Sequence, residues 1–262
     1  MSQPIAILGG IARQRILMAL AYRGDLLASA ISNVMIVSTG LLFLVQLMRQ
    51  VPALAGWSQA QMVFCWGFAE CAVGLVYFIF GGLFVTNHRY VLGGELDRLL
   101  VRPVDAMAQI LAENLGLDDV SVVLVGLCVM AYAAPGLPPV EAWRWLLLPF
   151  MLLSAAGVVG GMLMGFVSLG LRLHHRGTAV GLVTQLAIFN RYPIDLFARP
   201  LGWLLTAALP LAFGGFYPAA MFLGRPEWVG FAAATPAVAI FCLGAGYLAW
   251  KSGLSRWSST GS

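Results

Sequence analysis

Lysine is all but missing from this chain of 262 residues: Lys251 is the only one, and Trp250 precedes it. A phosphate-binding loop of the Walker type ends in Gly-Lys-Ser or Gly-Lys-Thr, so the chain holds no such loop, and any use of ATP requires a separate polypeptide. Charge of either sign is scarce. It makes up 10% of residues, where a soluble domain carries about a quarter. The four cysteines, Cys65, Cys71, Cys128 and Cys242, stand at no metal-ligand spacing and read as small packing residues within apolar segments. No basic residue precedes the short apolar run Ile5–Leu8 and no clear small-residue cleavage site follows it, so the start reads as retained rather than as a cleavable signal peptide. The net charge of +4 comes from dispersed arginines, which gives no case for nucleic acid.

What is present is apolar: 60% of residues are hydrophobic. A helix crosses the hydrocarbon core with about 20 residues, and uncharged stretches of that order run over 26–48, 120–140, 145–171, 201–224 and 228–250, with Glu70 the only charge in 60–86. The expected class is an all-α integral membrane protein. Residues 177–190 form a further uncharged stretch, short for an independent span. Short inner loops collect Arg and Lys. Arg13, Arg15 and Arg23 at one end, with Lys251 and Arg256 at the other, put both termini on the cytoplasmic side and demand an even number of crossings. Six fits, so 177–190 and 201–224 cannot both cross. Residues 87–119 and 172–176 then lie inside, while 49–59, 135–139 and 225–227 lie outside. Trp57, Trp143 and Trp228 fall at the outer boundary and Trp250 and Trp257 at the inner one, where interfacial aromatics belong. Ile11 to Tyr22 suits a helix lying along the cytoplasmic face.

Catalytic constellations are scarce. His174 and His175 are adjacent, so on a helix they diverge by about 100° and make a poor joint metal site. His88 sits at a membrane boundary, and Ser168 with His174 lacks any nucleophile signature. Glu70 is the one acid deep in a span, on a face with Gly67, Gly74, Tyr77 and Gly81. Two readings stand beside each other: a contact in a substrate pathway, or a hydrogen-bonded carboxyl between helices. Gly157, Gly161 and Gly165 make two overlapping small-residue repeats that let helices approach closely, within one subunit or between two.

Nine of the 26 charged side chains (15 basic, 11 acidic) lie between Asn87 and Asp119, around Gly93–Pro103, GGELDRLLVRP. Gly93 and Gly94 break the preceding span, Glu95 and Asp97 favour a helix start, and Pro103 stops it. The pattern predicts a helix of about two turns on which Leu96, Leu99 and Leu100 form an apolar ridge flanked by Asp97 and Arg98. That ridge reads as a docking element for a soluble partner, against the plainer reading of a solvated loop resting on the membrane. Met107–Leu115 is a second amphipathic piece leading back to the bilayer.

GGELDRLLVRP, followed by LDDV at Leu117, resembles the cytoplasmic loop of ABC-2-type exporter permeases, in particular the six-helix, half-size, multidrug- or viologen-exporter-like subfamily. A second segment, Phe189 to Leu223, containing NRYPIDLFARP and PLAFGGFYPAAMFL, is similar to the subfamily's stretch after the fifth helix. The likeness covers nearly the whole chain and implies a single permease domain: a connecting helix over 1–24, spans near 26–48, 60–86, 118–136, 145–171, 176–191 and 228–250, a coupling loop over 87–117 and outer re-entrant half-helices over 200–224. By that resemblance Gly94, Glu95, Leu96, Asp97, Arg98, Leu99 and Leu100, with Arg102 and Pro103, would engage an ATPase; Glu70, Gly74 and Tyr77 would line the pathway or a helix interface; Arg191, Tyr192 and Pro193 would belong to the re-entrant motif. It also implies a bacterial inner-membrane location, a second permease (the same chain or a related one), lipid as surroundings, and no cofactor in this chain, ATP and Mg being bound by the ATPase. The resulting expectation is a non-enzymatic subunit that exports a hydrophobic or amphipathic substrate by alternating access. A secondary transporter is the alternative, although one deep acid and no evident repeat argue against ion coupling; a non-transporting assembly protein is another. Charge bias favours 201–224 as the fifth span, whereas Pro210, Pro218 and Gly214–Gly215 break it, as the resemblance expects.

Overall fold

The computed structural model describes residues 2–50, 54–173, 181, 183 and 185–256. Among them every regular element is helical, apart from an isolated bridge between Leu54 and Trp57. In chain order the helices are α1 (Ser2–Ala21), α2 (Arg23–Gln50), α3 (Gln59–Phe80), α4 (Gly82–Val85), α5 (Leu96–Leu100), α6 (Ala106–Glu113), α7 (Val120–Ala133), α8 (Ala142–Trp145), α9 (Leu148–Leu173), α10 (Arg199–Trp203), α11 (Phe216–Ala220) and α12 (Pro226–Leu254). Five segments among the described residues are long and apolar enough to cross a membrane: Arg23–Gln50, Gln59–Phe80, Leu117–Gly136, Leu148–Leu171 and Pro226–Leu254. Residues 176–180, 182 and 184 of the expected span over 176–191 lie outside the described residues; its final turn, Ala187–Arg191, is a 3-10 helix.

Helices α3 and α9 form the centre, each 72% buried along its most apolar stretch, against 11% for α2. Ser58 and Gln61 start α3 with a reciprocal capping box, Ser58 Oγ accepting from Gln61 N at 3.2 Å and Gln61 Oε1 from Ser58 N at 3.0 Å. Small residues set the spacing: a Cβ on Gly126 would stand 2.7 Å from the Gly67 carbonyl oxygen, so α3 and α7 touch backbone to backbone. Gly161 meets Cys242 and Gly246 the same way between α9 and α12. The glycine repeat therefore works inside one subunit at Gly157 and Gly161, while Gly165 faces open space.

Three boundaries depart from the sequence expectation. The second span ends at Phe80 rather than near Thr86, because Gly81 and Gly82 let the chain pass directly beneath the Asn114 and Ile110 carbonyls of α6 and its end, where any side chain would collide. A π-helical turn, Thr86–Leu92, follows. The helix expected over Gly94–Leu100 is confined to Leu96–Leu100, since Gly94 adopts φ +72°, a left-handed value that favours glycine and starts the turn.

Residues 199–224 do not form one helix. Short pieces break at Leu209–Pro210 and at Gly214–Gly215. Both ends of this segment meet the same place: Trp57 Nε1 donates to Asp195 at 3.0 Å, and Arg225 lies 4.5 Å over the Trp57 ring while donating to the Gly56 carbonyl. Between those ends Thr206 and Tyr217 join the two arms through a 2.8 Å hydroxyl contact. The segment is a hairpin that goes in and returns. Its bend, near Pro210 and Phe213, lines a common apolar cavity of about 620 Å3 with Gly161 and Cys242, midway along α9 and α12.

Candidate functional site

Two polar assemblies interrupt the apolar body. The first is the 87–119 island, which folds into a cross-linked cap. Glu95 binds Arg89 at 3.0 Å and Arg98 at 3.3 Å; Glu113 binds Arg98 at 3.3 Å and Arg102 at 3.4 Å. Such exposed pairs are individually worth well under about 1 kcal/mol, yet a network sharing two carboxylates fixes geometry. Gln109, fully buried, ties α6 to α5 by donating to the Leu99 and Val104 carbonyls at 3.0 and 2.9 Å. Tyr90 donates to Glu113 at 3.0 Å and accepts from Asn114 at 2.8 Å. Burial pushes its phenol above the ordinary range, so it stays a donor at neutral pH. Asp105 caps α6 through Ala108 N and accepts from Tyr247 at 2.9 Å, which fastens the cap to α12. From the other side α1 covers α6, with Arg15 Nε donating to the Leu115 carbonyl at 3.2 Å.

Within this cap the expected apolar ridge is divided. Leu96 and Leu99 are fully buried, because α6 packs against that face of α5. Leu100 and Val101 are the apolar residues shown to solvent, at 43% and 86%. Gly94, Arg98, Arg102 and Pro103 are exposed around them, with Glu95 and Asp97 half-buried. The apolar surface that this segment shows to solvent is thus the turn after α5 rather than the Leu96–Leu99 face.

The second assembly centres on Glu70, half-way along α3 and 2% exposed. Its partner is Arg191, whose Nε lies 2.7 Å from Glu70 Oε1 as an ionic contact rather than an aligned hydrogen bond. The guanidinium also lies over the Trp66 ring, 5.8 Å from its centroid. Beside Arg191, Asn190 is buried against Gly214 and Gly215 of the hairpin, and neither of its amide atoms finds a hydrogen-bond partner among the described residues. Tyr192 is half-buried and Pro193 is buried at the start of the Ile194–Leu196 turn. Glu70, Arg191, Tyr77 and Asp119 line one cavity of about 460 Å3 bounded by α2, α3, α4, α7, α9 and residues 185–191. Gly74 does not reach it: a Cβ there would stand 2.8 Å from Val123, so Gly74 serves the α3–α7 contact.

The family model of ABC-2 family transporter proteins matches residues 34–261. The chain belongs to the ABC-2 transporter family. No curated protein and no solved structure matches it. The family is that of the membrane components of ABC transporters, which associate with an ABC ATPase. Among the described residues no cluster of His, Cys, Asp or Glu is fit for a metal, and His88 is exposed in the π-helical turn. His174 and His175 lie outside the described residues.

Sequence reasoning singled out Glu70 and Tyr77 for this permease but missed that Arg191 completes the pair and that Asp119 faces the same cavity. The signal available for Asp119 was its place as the second acid of LDDV at the start of a span.

Proposed function

We propose that this chain is the permease subunit of an ATP-driven exporter, moving a hydrophobic or amphipathic substrate outward. ATP and Mg bind to separate ATPase subunits, whose closure pushes the cytoplasmic cap and shifts the helices as packed bodies. A second permease, identical or related, completes the pathway, because the five long apolar helices among the described residues make only one wall. The termini are cytoplasmic, the membrane is the bacterial inner one, and the 195–225 hairpin re-enters from outside.

The observation that carries this reading is the Leu100–Val101 pair, displayed at the tip of a loop held by shared ion pairs at one end of α3. A rigid loop with an apolar tip transmits a push; a solvated connector has no need of either property. Co-expression with an ATPase encoded beside the chain tests it. A purified complex should hydrolyse ATP, and Leu100→Asp with Val101→Asp should abolish stimulation by the permease while leaving the chain folded. Transport by the chain alone in liposomes would sink the proposal.

A further inference from the structure

Four of the long helices pack as two pairs, each brought backbone to backbone by glycine: α3 with α7 at Gly67 and Gly126, α9 with α12 at Gly161 and Gly246. The cap stands in a different relation to each pair. It is continuous in chain with the first, since α3 runs into it through α4 and α7 leaves it at Val120. The second pair comes later in the chain, after α8, so a displacement of the cap reaches the near end of α12 across non-covalent contacts.

One of these contacts is built to carry such a displacement. Asp105 divides its carboxylate between two elements: Oδ1 accepts from Ala108 N at 3.0 Å and caps α6, while Oδ2 accepts from the Tyr247 hydroxyl of α12 at 2.9 Å. A hydrogen bond to a carboxylate is directional and charge-assisted, so it resists being pulled out of line. Asp105 stands four residues after Val101, the most exposed apolar residue of the turn after α5. Tyr247 is held at both ends, its hydroxyl by Asp105 and its ring by the Lys251 ammonium one turn further along α12, 4.9 Å from the ring centroid. The residue before it, Gly246, is where the α12 backbone lies against the Gly161 carbonyl of α9, so a pull on Tyr247 is delivered beside the closest approach of that pair.

We infer that Tyr247 is a coupling residue: through its bond to Asp105 it makes the α9–α12 pair follow the cap, so that both glycine-packed pairs move when an ATPase engages the turn after α5. This inference rests on the reading of the chain as an ATPase-driven permease and assigns the route by which the push reaches the last helix.

Two substitutions isolate the bond. Tyr247→Phe removes the hydroxyl and keeps the ring under Lys251; Asp105→Ser keeps a capping oxygen for Ala108 N and shortens the reach towards Tyr247. The full chain, each variant and the double variant are assembled with the ATPase encoded beside the chain, and hydrogen exchange is followed with and without trapping by ATP and vanadate. In the unsubstituted complex, trapping should change exchange both in the cap and over 240–254 of α12. Each single variant should form the complex, melt at the temperature of the unsubstituted chain and keep the change in the cap, while the change in α12 falls by about threefold or more. The double variant should go no further, because both substitutions remove one bond, and Asp105→Asn, which retains an acceptor for each partner, should keep the α12 response. In the chain without ATPase, Tyr247→Phe should raise exchange in Ala106–Glu113. An undiminished α12 response in either variant, or losses that add in the double variant, would overturn the coupling role and leave the permease reading standing. Failure of the unsubstituted chain to form a complex would overturn both, and the arm without ATPase would then decide whether the bond ties α6 to α12 at all.

Discussion

Glu70 of α3 and Arg191, at the entrance to the hairpin, meet at 2.7 Å in an otherwise apolar interior, and this one contact ties one of the two central helices to the broken segment that follows. Removing one partner of a buried pair strands the other charge, at a cost of about 3–5 kcal/mol, whereas replacing both with apolar residues is often neutral. Arg191 is 29% exposed at its side chain, so the lower end of that range applies. Arg191→Met should lower the melting temperature of the purified chain, and Glu70→Leu combined with Arg191→Met should recover most of the loss while transport does not return. Full transport in the double variant would make the pair purely structural.

Leu96 and Leu99 should behave unlike Leu100 and Val101, although all four belong to the same short stretch. Truncating either buried leucine to Ala removes packed volume and should cost about 2–5 kcal/mol, seen as early proteolysis of the cap. Substitution of the exposed pair by Asp should change stability by less than about 0.5 kcal/mol and act on ATPase coupling alone. A stability loss from the exposed pair equal to that from the buried one would contradict the division.

Much of this architecture is legible in the sequence, and the limits have physical causes. Uncharged runs of about 20 residues give the long helices directly, and Pro210, Pro218 and Gly214–Gly215 mark 201–224 as broken. The GGELDRLLVRP composition gives a helix, but a spacing of three and four shows only that leucines share a face, not whether that face points inward or outward. Leu96 and Leu99 turn inward because α6 arrives from further along the chain to pack on them, with Gln109 donating to the Leu99 carbonyl. Glu70 advertises itself as a lone deep acid, while Arg191 looks like an ordinary loop arginine until the fold brings it over the Trp66 ring and against Glu70.

Gly161 and Gly246 give a sharper test of the α9–α12 contact. Gly161→Leu must push backbones apart where α9 touches Cys242 and Gly246, and overpacking of this kind costs about 1–3 kcal/mol or more. Gly165→Leu, at a position facing open space, should be tolerated. Thermal melts of the two variants in one detergent decide the matter, and equal destabilisation would show that the second glycine packs against something too.

The clasp at Trp57 should hold the hairpin closed. Asp195→Ala removes the acceptor of the indole N–H, and because Asp195 is exposed the cost should be near about 1 kcal/mol. The more telling readout is local: hydrogen exchange should rise across 199–224 without a matching rise in α3. Uniform exchange across both would mean that the clasp supports the whole fold rather than the hairpin.

On the proposed re-entrant topology the hairpin, which leaves and returns at Gly56–Trp57, is silent in the parity of membrane crossings. A reporter inserted at Gly56 and another at Gly224 should label from the same side of the bilayer, whatever side that is. The orientation of α12 is therefore inherited from the chain before Asp195, and evolution is free to lengthen, shorten or reshape the hairpin without inverting the last helix.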